Sequence, residues 1–309
     1  MPRLLPVFVC VAFATLNAQS NYEHNVAGNA QDVQRPTRSG FVLMGGGRDV
    51  EAAFRWMIER SGGGDFLVLR ASGTDAYNGF VMKLGGADSA ETLILKDRSA
   101  SSEPFVLERV KNAEAIWLAG GNQWNYINFW KDTPLSKVLQ SAIDRGVPMG
   151  GTSAGLAVLG EHYFSAEHGT IQTADAVKDP FHPKMALGSG FLRIPPLAGI
   201  ITDSHFAART RQGRLLAMMA RLNARGLGVD ERTAVLVEPD GSGVVAGEGK
   251  AWMLRGTAPP EVCRKSSPLT YTGVELIRVG NGQKLDLREW TAETTDRTEI
   301  SVLEGAVLR

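Results

Sequence analysis

Short apolar runs that stop at glycine, each parted from the next by a stretch with helical spacing, constrain this chain more than any other feature. Phe41-Val42-Leu43-Met44 ends in Gly45-Gly46-Gly47. Residues 49–60 follow, with Ala53, Phe54, Met57 and Ile58 spaced for one helix face. Phe66-Leu67-Val68-Leu69 and Thr92-Leu93-Ile94-Leu95 repeat the strand pattern, and Ala115-Ile116-Trp117-Leu118-Ala119 closes on Gly120-Gly121. Residues 135–145 place Val138, Leu139 and Ile143 on one helix face, and Val147-Pro148-Met149-Gly150 leads into a fifth short strand. Apolar strands alternating with helices predict an α/β fold, a parallel sheet flanked by helices on both faces. Right-handed crossovers then gather the loops after the strands at one edge, where such folds hold ligands.

Beyond Ser165 the pattern loosens. Residues 165–200 contain Pro180, Pro183, Pro195 and Pro196 and read as an irregular cover over one end of the sheet. Leu215, Met218, Met219 and Leu222 predict an amphipathic helix over 209–225, stopped by Gly226. Leu227-Gly228-Val229 and Ala234-Val235-Leu236-Val237 read as strands, with a hairpin turn at Asp240-Gly241 before Val244-Val245. A last hairpin is expected over 273–287, turning at Gly280-Asn281-Gly282. The expected organisation is a leader at 1–18, a polar linker at 19–39, the main domain at 40–255, and a C-terminal β extension at 256–309 packed on that domain.

The leader rests on Arg3, an apolar stretch over residues 4–16, and the small Ala18 before a cleavage point. The stretch is shorter than the roughly 20 residues a spanning helix needs. The expectation is a secreted or periplasmic protein with no membrane partner. Cleavage would remove Cys10 and leave Cys263 alone, an inert thiol with no intrachain disulfide to form. Thirty-three basic against 33 acidic residues give no sign of a nucleic-acid partner. A 43% hydrophobic share excludes a disordered chain, and two Cys exclude a disulfide-dense one. The chain has no His-Glu-x-x-His and no cysteine pair, so neither metal nor cofactor is expected.

Chemistry concentrates at Gly150-Gly151-Thr152-Ser153-Ala154-Gly155. This holds Gly-x-Ser-x-Gly between a strand-like run and the helix-compatible Leu156-Ala157-Val158-Leu159, the context of a nucleophile elbow. A sharp strand-to-helix turn exposes the hydroxyl, and the flanking glycines tolerate it. A serine nucleophile needs a base, and the base an orienting acid. His205 follows the strand-like Ile200-Ile201-Thr202-Asp203, on the ligand side, whereas His24, His162, His168 and His182 lie in linker or loosened segments. Asp230 and Glu231 end another strand, and alternation lets only one of them face the site. The order Ser, His, acid differs from the Ser, acid, His of α/β-hydrolases.

Taken together, Gly-Thr-Ser-Ala-Gly at 151–155, Gly-Gly-Asn-Gln at 120–123, Asp-Ser-His-Phe at 203–206, the Arg209/Arg211/Arg214 spacing with Gly213, and Gly-Val-Asp-Glu at 228–231 resemble the cyanophycinases. These are serine exopeptidases related to aspartyl dipeptidase. The resemblance implies a class I glutamine amidotransferase-like (flavodoxin-like) fold with extra C-terminal β-hairpins. It implies Ser153 as nucleophile, His205 as base and then acid, and Glu231 as the orienter. Ala154 and Gly121 would supply oxyanion-hole amides. Gln123, Asp203, Arg209, Arg211 and Arg214 would line or support the substrate site. The implied substrate is a polymer with an aspartate backbone carrying arginine, and the implied products are β-Asp-Arg dipeptides. A homodimer is expected by the same analogy. One position departs: the polymer-degrading members have Gln before the histidine, and Ser204 stands here. Another β-linked or acidic peptide is therefore the alternative substrate. An amidase or esterase sharing Ser153, or a silent binding scaffold, are the competing functions.

Overall fold

The computed structural model describes residues 20–308; the expected leader at 1–18 lies outside the described residues. Two sheets organise the described residues, one of ten strands and one of eight. The centre of the first is parallel: Ser89–Leu95, Asp65–Arg70, Ala115–Leu118, Met149–Thr152 and Phe41–Met44 lie side by side in that order. Antiparallel strands flank this block, Tyr22–Gly28 at one side and Thr233–Val237 at the other.

Strand alternation sorts the core. Phe41 and Leu43 face the cluster that also holds Leu67, Leu118, Leu139, Leu227 and Val229. Val42 and Met44 face the opposite cluster, with Phe54, Met57, Phe66 and Trp117. Helices Glu51–Arg60 and Ala76–Leu84 cover this second face, and Pro104–Asn112, Gln123–Trp130 and Pro134–Asp144 cover the first.

Four expectations change. Residues 22–28 are an edge strand rather than linker, and His24 on it bonds the buried Glu91 at 2.9 Å. The polar composition that suggests a linker suits a strand with one open edge. The strand Ile200–Asp203 does not extend the parallel block. It pairs with Arg225–Val229 in the second sheet, parallel to it. Residues 271–279 and 284–286 form no hairpin, because they belong to different sheets. The long helix is Gln212–Leu222, ended by Asn223 in the left-handed conformation at φ 50°. Gly226 lies in the following strand instead, where a Cβ would meet Met219 Sδ at 2.5 Å. Leu215, Met218 and Met219 are wholly buried on that helix. Each contributes about 1.5–3 kcal/mol by leaving water.

The expected turn at Asp240-Gly241 joins Thr233–Val237 to Ser242–Gly247. The chain after 256 adds strands to both sheets. Cys263 is a free, half-buried thiol whose burial raises its pKa. Among the described residues no helix is long and apolar enough to cross a membrane.

Candidate active site

The two sheets meet where their parallel strands end. Met149–Thr152 delivers Ser153 from the first sheet, while Ile200–Asp203 and Arg225–Val229 deliver His205 and Glu231 from the second. Ser153 has φ 54° and ψ −109°, the strained turn of an elbow. Glycine permits it on both flanks. A Cβ at 151 would lie 2.6 Å from the Gly155 carbonyl carbon, and one at 155 would lie 2.0 Å from Leu118 O. The helix that follows is a single turn, Ala154–Ala157, so it offers free first-turn amides rather than an appreciable macrodipole.

The glycine run after Phe41–Met44, which the sequence marks only as a strand end, is the junction of the site. Ser153 N–H donates to Met44 O at 3.1 Å, His205 N–H to Gly45 O at 2.8 Å, and Arg232 N–H to Gly46 O at 2.7 Å. One loop thereby fixes the backbone of all three segments. No side chain fits there: a Cβ at 45 would meet Asp230 O at 2.0 Å, and one at 46 would meet the His205 ring at 2.4 Å.

Side chains then form a relay. Ser153 Oγ lies 2.8 Å from His205 Nε2, and His205 Nδ1 lies 2.7 Å from Glu231 Oε1. The acceptor on Nδ1 selects the tautomer that leaves Nε2 free to take the serine proton. Asp230 turns the other way, its carboxylate accepting from Ala207 N, Trp252 Nε1 and Lys250 N. The hydrogen bond from His205 pulls the Glu231 pKa below the ordinary carboxylate value. Burial holds His205 below the usual imidazole value, opposed by its bond to Glu231. A neutral His205 acting as base predicts that kcat/KM rises with pH along an acid limb whose midpoint lies below 6.5, then levels off. A pH–rate profile checks this; a midpoint above 6.5 contradicts it.

The structure separates the other expected site residues. Ala154 follows the serine in the chain, and Gly120, the residue before Gly121, lies beside it. A Cβ at Gly120 would lie 3.6 Å from Ser153 Cβ, and Ala154 opens its helix, so its N–H has no acceptor within that helix. Gln123 is half-buried, and its amide donates to Phe164 O at 2.5 Å. Arg209 is exposed beside the relay, and its charge acts on both His205 and Glu231. Asp203, Arg211 and Arg214 are 2%, 9% and 2% exposed, so of the two expected roles, lining or supporting the substrate site, their burial suits support. Arg214 Nε meets Asp203 Oδ2 at 3.0 Å, and Arg211 Nη1 meets Asp203 Oδ1 at 3.1 Å. They brace the loop that carries His205. Ser204 is buried in this network, its carbonyl accepting from Arg211 at 2.7 Å. The departure at 204 is therefore a change behind the site, not at its surface.

Sequence reasoning missed Tyr126, a buried residue whose hydroxyl donates to Ala119 O at 2.8 Å and lies 3.3 Å from Gly120 O. In a trans peptide the carbonyl and the next N–H point in opposite directions. Holding the Gly120 carbonyl toward Tyr126 therefore turns the Gly121 N–H away from it. Its ring stacks on Trp130 at 4.2 Å, so Tyr126→Phe keeps the packing and removes only the hydroxyl. The variant is expected to lose about tenfold to a hundredfold in kcat, with KM nearly unchanged and Tm lowered by only a few degrees as Ala119 O loses its donor. That is less than deleting an oxyanion donor outright. Steady-state kinetics with a thermal melt check this, and an unchanged kcat refutes it.

Comparison with known proteins gives likenesses of family, of sequence and of fold. The family model of peptidase family S51 matches residues 83–245. A cyanophycinase of Geminocystis herdmanii is 30% identical over 216 residues, 68% of this chain and 75% of that one. A cyanophycinase of Trichormus variabilis is 30% identical over 213 residues, 67% of this chain and 68% of that one. In fold, the chain resembles the crystal structure of a peptidase from an acI-B1 actinobacterium, with a TM-score of 0.58 at 18% identity, covering 82% of this chain and 98% of that one.

Proposed function

Because the chain belongs to peptidase family S51, we propose that it is an exported serine exopeptidase of cyanophycinase type, on a class I glutamine amidotransferase-like scaffold, acting through Ser153, His205 and Glu231. The observation that carries the reading is the unbroken relay of 2.8 Å and 2.7 Å hydrogen bonds from an elbow serine to a carboxylate. Export rests on the pattern of residues 1–18.

The chemistry follows from the groups present. His205 Nε2 takes the Ser153 proton as Oγ attacks the substrate carbonyl. Glu231 stabilises the imidazolium that forms. The Gly121 and Ala154 amides receive the developing oxyanion, a contribution of about 3–4 kcal/mol per donor. His205 then protonates the leaving amine, and water, activated by the same imidazole, releases the acyl group. The substrate is the aspartate–arginine polymer that names the relatives, and the product is β-Asp-Arg. Incubating the mature protein with purified cyanophycin, beside Ser153→Ala, tests this. Dipeptide from wild type alone supports the reading. No dipeptide from folded wild type moves the substrate to another β-linked or acidic peptide.

A further inference from the structure

We propose that Arg70 is a substrate-recognition residue, binding the free carboxylate of the substrate residue held on the Gly120–Gly121 side of Ser153. The proposal rests on the peptidase reading and adds a specificity determinant to it.

Arg70 ends the strand Asp65–Arg70 at the crest where the site lies. Leu69 pairs with Leu118, and Leu118 pairs with Gly151, two residues before the nucleophile. Leu69 O accepts from Ala119 N at 3.0 Å, which places Arg70 beside the loop entering Gly120-Gly121. Adjacent strands lie about 4.8 Å apart, so Arg70 starts about 10 Å from the nucleophile strand. One extended residue of about 3.5 Å, plus an arginine side chain, bridges that gap.

The guanidinium is held ready. Its Nε donates to Ser72 O and its Nη1 to Thr74 O, each at 2.6 Å. Gly73, at φ 109°, lets the loop close round the head: a Cβ there would lie 2.2 Å from Nη2. These acceptors are neutral carbonyls, so the charge stays unmatched. Arg60, Arg109, Arg211 and Arg214 each pair with a carboxylate, whereas Arg70 has no ion pair among the described residues. It is half-buried, at the end of the strand beside the one that leads into the Gly120 carbonyl braced by Tyr126. A fixed guanidinium lacking a counter-charge matches a carboxylate fork. Arg211 and Arg214 cannot serve, since Asp203 already takes them. Arg209 lies on the His205–Glu231 side instead.

The test compares a short β-linked aspartyl–arginine peptide bearing free carboxylates with the forms in which each carboxylate is amidated in turn. Arg70→Met is expected to raise KM for the acid about thirtyfold or more, leave kcat within about twofold, and leave one amidated form unchanged. That form identifies which carboxylate Arg70 reads. Arg70→Lys is expected to recover part of the affinity. A wild-type measurement guards against misfolding of the variants: the acid product slows fluorophosphonate labelling of Ser153, and its amide does not. Equal KM for Arg70→Met and wild type on the acid, or equal protection by acid and amide, overturns the proposal. Wild type that cleaves neither form overturns the β-aspartyl–arginine substrate reading, and this proposal with it.

Discussion

Ser153→Ala is expected to lower kcat/KM by about ten-thousand- to million-fold while leaving the fold intact. The size follows from the relay. In the proposed mechanism the serine oxygen forms the covalent bond, and nothing else at the elbow replaces it. Ala154 and Gly121 would still bind the carbonyl oxygen, so a small residual rate over water remains. Alanine adopts the strained elbow no better than serine, so stability should change little. Glu231→Gln tests the orienting step separately. It keeps the shape but removes the charge that stabilises imidazolium, and should cost about a hundred- to ten-thousand-fold. The half-exposed position of Glu231, 38% by side chain, favours the lower end. Steady-state rates on a cleaved substrate check both, with circular dichroism to confirm folding. A Ser153→Ala protein with more than a hundredth of wild-type activity contradicts the account.

Asp203→Asn is the largest expected change in stability. Asp203 is the shared counter-charge of Arg211 and Arg214, and all three are buried. Burial already pulls the Arg211 guanidinium down to about 10, even with Asp203 opposing it. Removing the carboxylate leaves two buried cations facing each other. Breaking such a pair costs about 3–5 kcal/mol, or a fall in Tm of about 10 °C for a chain of this size. Because the network braces the loop before His205, activity should fall as well. Arg209→Ala, by contrast, removes an exposed side chain and should leave Tm unchanged. Thermal melts of the two variants side by side check this. A Tm for Asp203→Asn within about 2 °C of wild type would contradict the structural reading of the arginine cluster.

What was legible in the sequence follows from the range of the forces involved. The elbow is local: its glycines, its serine and the apolar residues on either side lie within ten positions. His205 and Glu231 are legible because each follows a strand-like run, which places it at a strand end. That the two runs form a second sheet is not legible, since strand pairing is non-local and both read as ordinary apolar strands. Tyr22–Gly28 escapes notice for the opposite reason. An edge strand needs only one apolar face, and here a His–Glu contact fills part of it. Arg211 and Arg214 are three apart on one turn, which suits a substrate fork and a shared buried aspartate equally; only burial separates the two. Gly226 reads as a helix stop, whereas the helix ends at Asn223 and the glycine is needed for close packing against Met219.

The central claim is that Ser153 is a nucleophile activated by His205, and covalent labelling tests it most directly. Folded protein treated with a fluorophosphonate, digested and mapped by mass spectrometry, should carry one adduct per chain, on Ser153. Its rate of formation should fall as the pH drops through the His205 titration. Folded protein that takes no adduct, or takes it at another residue at the same rate when His205 is replaced by alanine, would contradict the account.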